Sequence, residues 1–223
     1  MKIIIPSAAE TGIVSNNKLW NRALLLAVIT ICYNIIEGLI SVSFGITDET
    51  VSLFGFGLDS FVEVVSGFGI LHMIVRIKNN GGTKDAFEKN ALIITGVSFY
   101  ILAFGLIITS CYNIYIGNKP ISTLWGIIVS VVSIISMLFL MKAKMDVGRK
   151  LNSDAIVADA NCTKTCLYLS LILLISSLLF EIFKIGYFDS IGAIGLAYYS
   201  FKEGREAMEK SRGNSCTCSS CRS

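Results

Sequence analysis

Long apolar segments alternate with short polar ones along almost the whole chain. Six apolar segments can be drawn, at residues 19–44, 51–75, 90–116, 121–141, 155–183 and 186–202. Each is near the roughly 20 residues that a helix needs to cross the hydrocarbon core of a bilayer, although the last is short and interrupted by glycine. The pattern predicts an all-α, polytopic membrane protein with six transmembrane helices.

The polar stretches between these segments predict how the chain is oriented. Residues 45–50 and 117–120 are expected to form tight turns, and residues 76–89 and 142–154 longer polar links. Lys and Arg concentrate in the N-terminal segment, the two longer links and the C-terminal segment, whereas the opposite loops hold only Lys119 and Lys184. By the positive-inside rule, both termini are expected to be cytoplasmic, and we expect the cell membrane as the location.

Composition adds limits on the class of protein. The 223-residue chain is 53% hydrophobic, so almost all of its length is used by spans and short loops. The net charge of +3 comes mainly from residues at the ends of spans, so no nucleic-acid partner is expected. A short apolar run at the N-terminus is broken by Pro6 and Glu10, which does not fit a cleavable signal peptide. The seven cysteines are too scattered for a secreted disulfide framework.

The second apolar segment carries two acids near its middle, Asp59 and Glu63. A carboxylate at the bilayer centre costs at least about 3 kcal/mol on insertion scales, so it needs a partner or a function. Positions i and i+4 lie on one face of a helix, so both carboxylates point the same way. Two oxygen ligands on one face would form half of a cation site.

The fifth apolar segment offers a matching pair of thiols, Cys162 and Cys166, again at i and i+4. Thiolates bind Zn(II), Cd(II) and softer ions, and two of them with two carboxylates can complete a tetrahedral site. The alternative is that a buried cysteine behaves as a small hydrophobic residue, as we expect for Cys32 and Cys111. The matched spacing on two helices favours the metal site.

Three stretches resemble the membrane domain of the cation diffusion facilitator family: VSLFGFGLDSFVEVVSG, SDAIVADANCTKTC and FDSIGAIGLAYYSFKEGREAMEKS. The resemblance covers residues 18–211, between an N-terminal segment 1–17 and a tail 212–223. It implies two metal ligands at i and i+4 on each of the second and fifth helices. Asp59 and Glu63 match the first pair, Cys162 falls on a position that is usually His, and Cys166 on one that is usually Asp.

The chain departs from that family in three ways. Glu63 replaces the usual second Asp, and cysteines replace both ligands of the fifth helix, which softens the site. The resemblance implies a cytoplasmic metal-binding domain after the sixth span, and we expect the short tail 212–223 in its place. Its cysteines, Cys216, Cys218 and Cys221, resemble soft-metal-binding tracts and are candidate accessory ligands, although a passive tail is the alternative.

Other polar residues in the apolar segments leave more than one interpretation open. Glu37, with Asn34, could attract cations or carry a proton, or could be hydrogen-bonded structure between helices. Lys164 is expected to snorkel or to pair with Asp159 or Asp154. Asp189 is expected to start its own helix at the outer end, with metal binding at the exit as a weaker alternative.

These residues together predict a secondary transporter that exports a divalent transition metal, Zn(II) or Cd(II), by proton antiport. Carboxylates and thiolates release protons when they bind metal, which couples the two ions. No nucleotide-binding loop occurs. His72 is the only histidine and is expected to have no metal role, so we expect neither an enzyme nor a resident cofactor. The resemblance implies a homodimer in the lipid membrane. The alternative function is a membrane metal sensor or metal-binding protein without transport.

Overall fold

The computed structural model describes residues 8–78 and 86–212, and these residues form a bundle of helices without a strand. The helices are α1 (Ala8–Thr47), α2 (Val51–Lys78), α3 (Ala86–Ile116), α4 (Leu124–Lys150), α5 (Asp154–Phe183) and α6 (Tyr187–Ser211). The first five are long and apolar enough to cross a membrane, whereas α6 falls short because its second half is charged. The prediction of an all-α membrane protein with six helices is confirmed.

The helices run further than the apolar segments predicted. Residues 142–154 were expected to form a polar link, but α4 continues to Lys150 and only residues 151–153 separate it from α5. The Lys144 side chain in this extension is buried and bonds to Asp159 of α5. This contact stabilises α4 beyond the end of its apolar segment. The sixth helix likewise extends beyond residue 202, to Ser211.

The helices pack mainly as three pairs, α1 with α2, α3 with α6, and α4 with α5. Glycine allows the closest approaches within two of these pairs. A Cβ atom added at Gly57 would lie 2.7 Å from the backbone nitrogen of Val42, and one at Gly204 would lie 3.0 Å from the carbonyl oxygen of Gly96. Such contacts fit helix association in lipid, where small residues let backbones pack closely.

Apolar side chains cover the outside of the bundle as well as its inside. Leu53, Leu173 and Leu196 are fully buried between helices, whereas Ile108 and Phe139 are 68% and 71% exposed. An exposed apolar surface of this kind is expected where lipid tails, rather than water, surround the helices.

Hydrogen bonds close the end of the bundle opposite the two termini. The Asp189 carboxylate accepts hydrogen bonds from the backbone N–H groups of Val51, at 2.8 Å, and Ser52, at 3.2 Å, and from the Ser52 hydroxyl. Asp189 lies in the first turn of α6, but it caps α2. Its expected place at the start of α6 is therefore confirmed, although Gly186 is the N-cap residue and the Asp189 carboxylate bonds to the free N–H groups in the first turn of the neighbouring helix.

Two further contacts join the loops at this closed end. The Thr50 hydroxyl donates to the Ser122 carbonyl oxygen at 3.0 Å, which joins the α1–α2 turn to the α3–α4 loop. The backbone N–H of Thr123 donates to Glu181 of α5 at 2.9 Å. The described part of the bundle is thus fastened at this end by bonds between several helices.

Candidate metal site

The acid pair of α2 lies inside the bundle, as the spacing predicts. Asp59 is 2% exposed, and its Oδ1 accepts a hydrogen bond from the Ser200 hydroxyl of α6 at 3.1 Å. Glu63, one turn further along α2, is partly buried. The two carboxylates therefore face neighbouring helices rather than lipid.

Glu63 is held from two sides. The Asn34 side-chain nitrogen of α1 donates to Oε2 at 2.9 Å, and the Cys166 thiol of α5 donates to Oε1. Three helices, α1, α2 and α5, therefore meet at one carboxylate. The contact between Glu63 and Cys166 joins one member of the predicted acid pair to one member of the predicted thiol pair.

The other two predicted ligands have different neighbours. The Cys162 sulfur lies 3.6 Å from the Lys210 ammonium of α6, and Asp59 is bonded to Ser200. Among the residues that the structure describes, no group of three or more His, Cys, Asp or Glu side chains is arranged to hold a metal ion. The structure thus brings Glu63 and Cys166 together but does not assemble the four-ligand set.

A cavity of about 330 Å³ connects most of these residues. Glu63, Cys162 and Cys166 line it, and so do Asn34 and Glu203, whereas Asp59 lies outside its lining. The lining comes from the middle of α1, the middle and second half of α2, the first half of α3, the second half of α4 and α6, and the first half and middle of α5. This is the half of the bundle that contains both termini, so the cavity lies at the end opposite to the closed one.

A comparison with known protein families matches residues 24–212 to the cation efflux transmembrane domain. The chain belongs to the cation efflux family. As a member, it is an integral membrane protein that moves cations across a membrane, and such proteins are transporters rather than enzymes. No curated protein matches the chain.

One wall of the cavity in this cation efflux protein is a buried ion pair. The Lys144 ammonium lies 3.0 Å from the Asp159 carboxylate, and it also donates to the Thr163 hydroxyl at 3.2 Å. The suggested pairing of Lys164 with Asp159 is wrong, because Lys144 is the partner of that carboxylate. Lys164 instead lies over the Tyr168 ring, 5.9 Å from its centroid. The Asp154 side chain is outside the described residues.

Besides Lys144, the sequence analysis missed two charged residues that line the cavity of this transporter, Glu203 and Lys210. They lie in the polar second half of α6, beyond the apolar segment drawn at residues 186–202. A signal was present in their spacing: Glu203, Ala207 and Lys210 are separated by four and three residues, and positions so spaced share one helix face. All three line the cavity.

Glu37 occupies a hydrogen-bonded position between α1 and α2. It is 5% exposed, and its carboxylate accepts hydrogen bonds from the Tyr33 hydroxyl at 2.8 Å and from the Ser60 hydroxyl at 3.1 Å. Glu37 does not line the cavity. Of the interpretations left open by the sequence, the geometry favours hydrogen-bonded structure between helices.

The cysteines outside the candidate site are Cys32, Cys111 and the three in the tail. Cys32 and Cys111 are exposed, so the expectation that they are buried hydrophobic residues is wrong. Each lies on the outer surface of the bundle, where a small apolar side chain needs no hydrogen-bond partner. The tail residues Cys216, Cys218 and Cys221 lie outside the described residues.

Proposed function

We propose that this protein exports Zn(II) or Cd(II) from the cytoplasm in exchange for protons. The observation that supports this most directly is the contact between Glu63 and Cys166. It places a carboxylate and a thiol from two helices side by side in a cavity within the membrane-spanning bundle. A mixed oxygen and sulfur donor set suits Zn(II) and Cd(II) better than hard ions such as Mg(II).

The proposed ligands are Asp59, Glu63, Cys162 and Cys166. Glu63 and Cys166 already touch, so metal binding requires the other two side chains to turn. Asp59 must turn toward the cavity, because it lies outside the cavity's lining, and Cys162 must turn away from the Lys210 ammonium. Both changes move a side chain on a fixed helix, so they need no refolding. Hard octahedral ions want about six oxygen ligands, which this set does not offer.

Proton exchange follows from the same contact. The Cys166 thiol donates a hydrogen bond to Glu63, so a metal that binds both the sulfur and the carboxylate must displace the thiol proton. All four ligands bind either protons or metal. Loading metal on one side of the membrane and protons on the other therefore couples the two flows in opposite directions.

The direction of transport is proposed from the shape of the bundle. The cavity lies in the half that contains both termini, which the positive-inside rule places in the cytoplasm. The opposite end is closed by Asp189 and the loop contacts. This arrangement suits loading from the cytoplasm, and release requires the closed end to open by helix rocking around the site.

Transport into sealed proteoliposomes tests the function. Purified full chain is reconstituted, and uptake of Zn(II), Cd(II) and Mn(II) is measured with and without a pH gradient. We expect uptake of Zn(II) or Cd(II) that a proton gradient of the correct sign accelerates. Metal binding without flux under any gradient would instead support a membrane sensor.

Paired substitutions test the ligands. Replacing both Cys162 and Cys166 by serine should reduce Cd(II) transport more than Mn(II) transport, because the lost bonds are to a soft ion. Replacing Cys32 and Cys111 by serine is the matched control, since both are exposed outside the cavity. Asp59→Asn should impair transport of every ion, because it removes a charge and a proton-exchanging group. Cd(II) transport at the wild-type rate and affinity in the first variant would refute the role of α5.

A further inference from the structure

The side-chain amide of Asn34 on α1 uses only one of its two polar atoms in the hydrogen bonds of the site. The residue is 2% exposed, and its nitrogen donates to Glu63 Oε2 at 2.9 Å. That acceptor is a carboxylate, so the amide must present its nitrogen to Glu63 and its oxygen elsewhere. The oxygen, Oδ1, is buried and accepts no hydrogen bond within the described part of the chain.

A buried amide oxygen without a donor is unfavourable, and most such atoms in proteins have a partner. Asn34 lines the same cavity as Glu63, Cys162 and Cys166. The carboxamide oxygen is a neutral donor of the kind that binds divalent cations alongside carboxylates. The unused atom is therefore a potential ligand, and it belongs to a residue already bonded to a proposed ligand.

We propose that the Asn34 side-chain oxygen is an additional ligand of the transported ion. This inference rests on the proposed function, because it extends the same site to a third helix. Asn34 adds an oxygen without adding charge or an exchangeable proton, so it changes coordination but not the number of protons released. It also links α1 to the ion, together with α2 and α5.

Asn34 could instead only position Glu63 through its nitrogen, and two substitutions separate the roles. Asn34→Leu removes both the nitrogen and the oxygen. Asn34→Asp keeps an oxygen donor, but it cannot donate to Glu63 and repels it. If Asn34 is a ligand, the affinity for metal should fall about tenfold or more in the leucine variant and be retained in the aspartate variant. If Asn34 only positions Glu63, the aspartate variant should be at least as impaired as the leucine variant.

Vibrational spectroscopy gives a direct readout of the bond. The full chain is labelled with ¹³C at the side-chain carbonyl of asparagine, and infrared difference spectra are recorded between metal-free and Cd(II)-loaded protein. Coordination of the oxygen should shift one labelled carbonyl band to lower frequency. The shift should vanish in Asn34→Leu and persist in Asn113→Leu, a control on α3 outside the cavity.

The outcomes distinguish this inference from the proposed function. A wild-type protein that transports and binds Cd(II) but shows no shifted asparagine band would overturn the role of Asn34 and leave the four-ligand site intact. An aspartate variant that binds no better than the leucine variant would do the same. A wild-type protein that binds no Cd(II) would overturn the site and this inference together.

Discussion

The buried ion pair between Lys144 and Asp159 allows a sharp test of the packing around the cavity. Lys144 and Asp159 side chains are 3% and 8% exposed, and their charged atoms lie 3.0 Å apart. Lys144→Met keeps a similar length of apolar side chain but leaves the Asp159 carboxylate buried without its cation. Removal of one partner from a buried pair typically costs about 3–5 kcal/mol, because the remaining charge is uncompensated.

The same helix provides a matched control. Lys150 pairs with Asp146 at 2.7 Å, but these side chains are 55% and 58% exposed. Exposed pairs of this spacing contribute only about 0.3–0.5 kcal/mol. For a chain of this length, 1 kcal/mol shifts the Tm by about 2–4 °C. Lys144→Met should therefore lower the Tm by roughly 6–20 °C, and Lys150→Met by no more than about 2 °C.

Thermal unfolding of the purified protein in one detergent, in metal-free buffer, measures these shifts. The double variant Lys144→Met/Asp159→Asn removes both charges and should recover most of the lost stability. Equal Tm values for the Lys144→Met and Lys150→Met variants would refute the description of a desolvated pair. A double variant as unstable as Lys144→Met alone would show that lost packing, rather than the uncompensated charge, causes the effect.

The remaining predictions concern topology, the tail, assembly and helix contact. If both termini are cytoplasmic, a membrane-impermeant thiol reagent applied to intact cells should label wild type no more than a variant lacking residues 214–223; stronger labelling of wild type would overturn the topology. If the tail cysteines capture metal, the same deletion should raise the half-saturating metal concentration with little change in maximal rate, and an unchanged concentration would make the tail passive. Native mass spectrometry should detect a homodimer held by the membrane helices, and only monomer across mild detergents and lipids would count against it. Gly57→Val should destabilise the protein by about 1–3 kcal/mol in thermal unfolding because its side chain meets the α1 backbone. Gly105→Val, which meets nothing within 4 Å, should not, and equal effects would contradict the close contact.

The helices could be predicted from sequence because lipid imposes a simple pattern. A span must be apolar and about 20 residues long, and the first five helices obey that rule. Helix ends at the polar side were less predictable. Composition marks residues 142–154 as polar but cannot show that Lys144 is buried within a helix by a partner on α5.

For the candidate site, the sequence could predict which residues share a helix face, but not which residues of different helices come into contact. Spacing of i and i+4 places Asp59 with Glu63 and Cys162 with Cys166 on shared faces, and the contact of Glu63 with Cys166 agrees with the expected meeting of α2 and α5. The proximity of Cys162 to Lys210 depends on how α5 and α6 pack, which no local pattern encodes. Asp189 shows the same limit, since its bonding partners lie more than a hundred residues away.

The packing of the bundle suggests that the bound ion would also hold two helices together. α2 and α5 contact each other far less than the helices within each of the three pairs do. The four proposed ligands nevertheless lie on these two helices, so a bound ion would join two helices that otherwise have little direct contact. A bound ion would then cross-link α2 and α5, and its release would remove that link. Loading of the ion would itself strengthen the contact between α2 and α5.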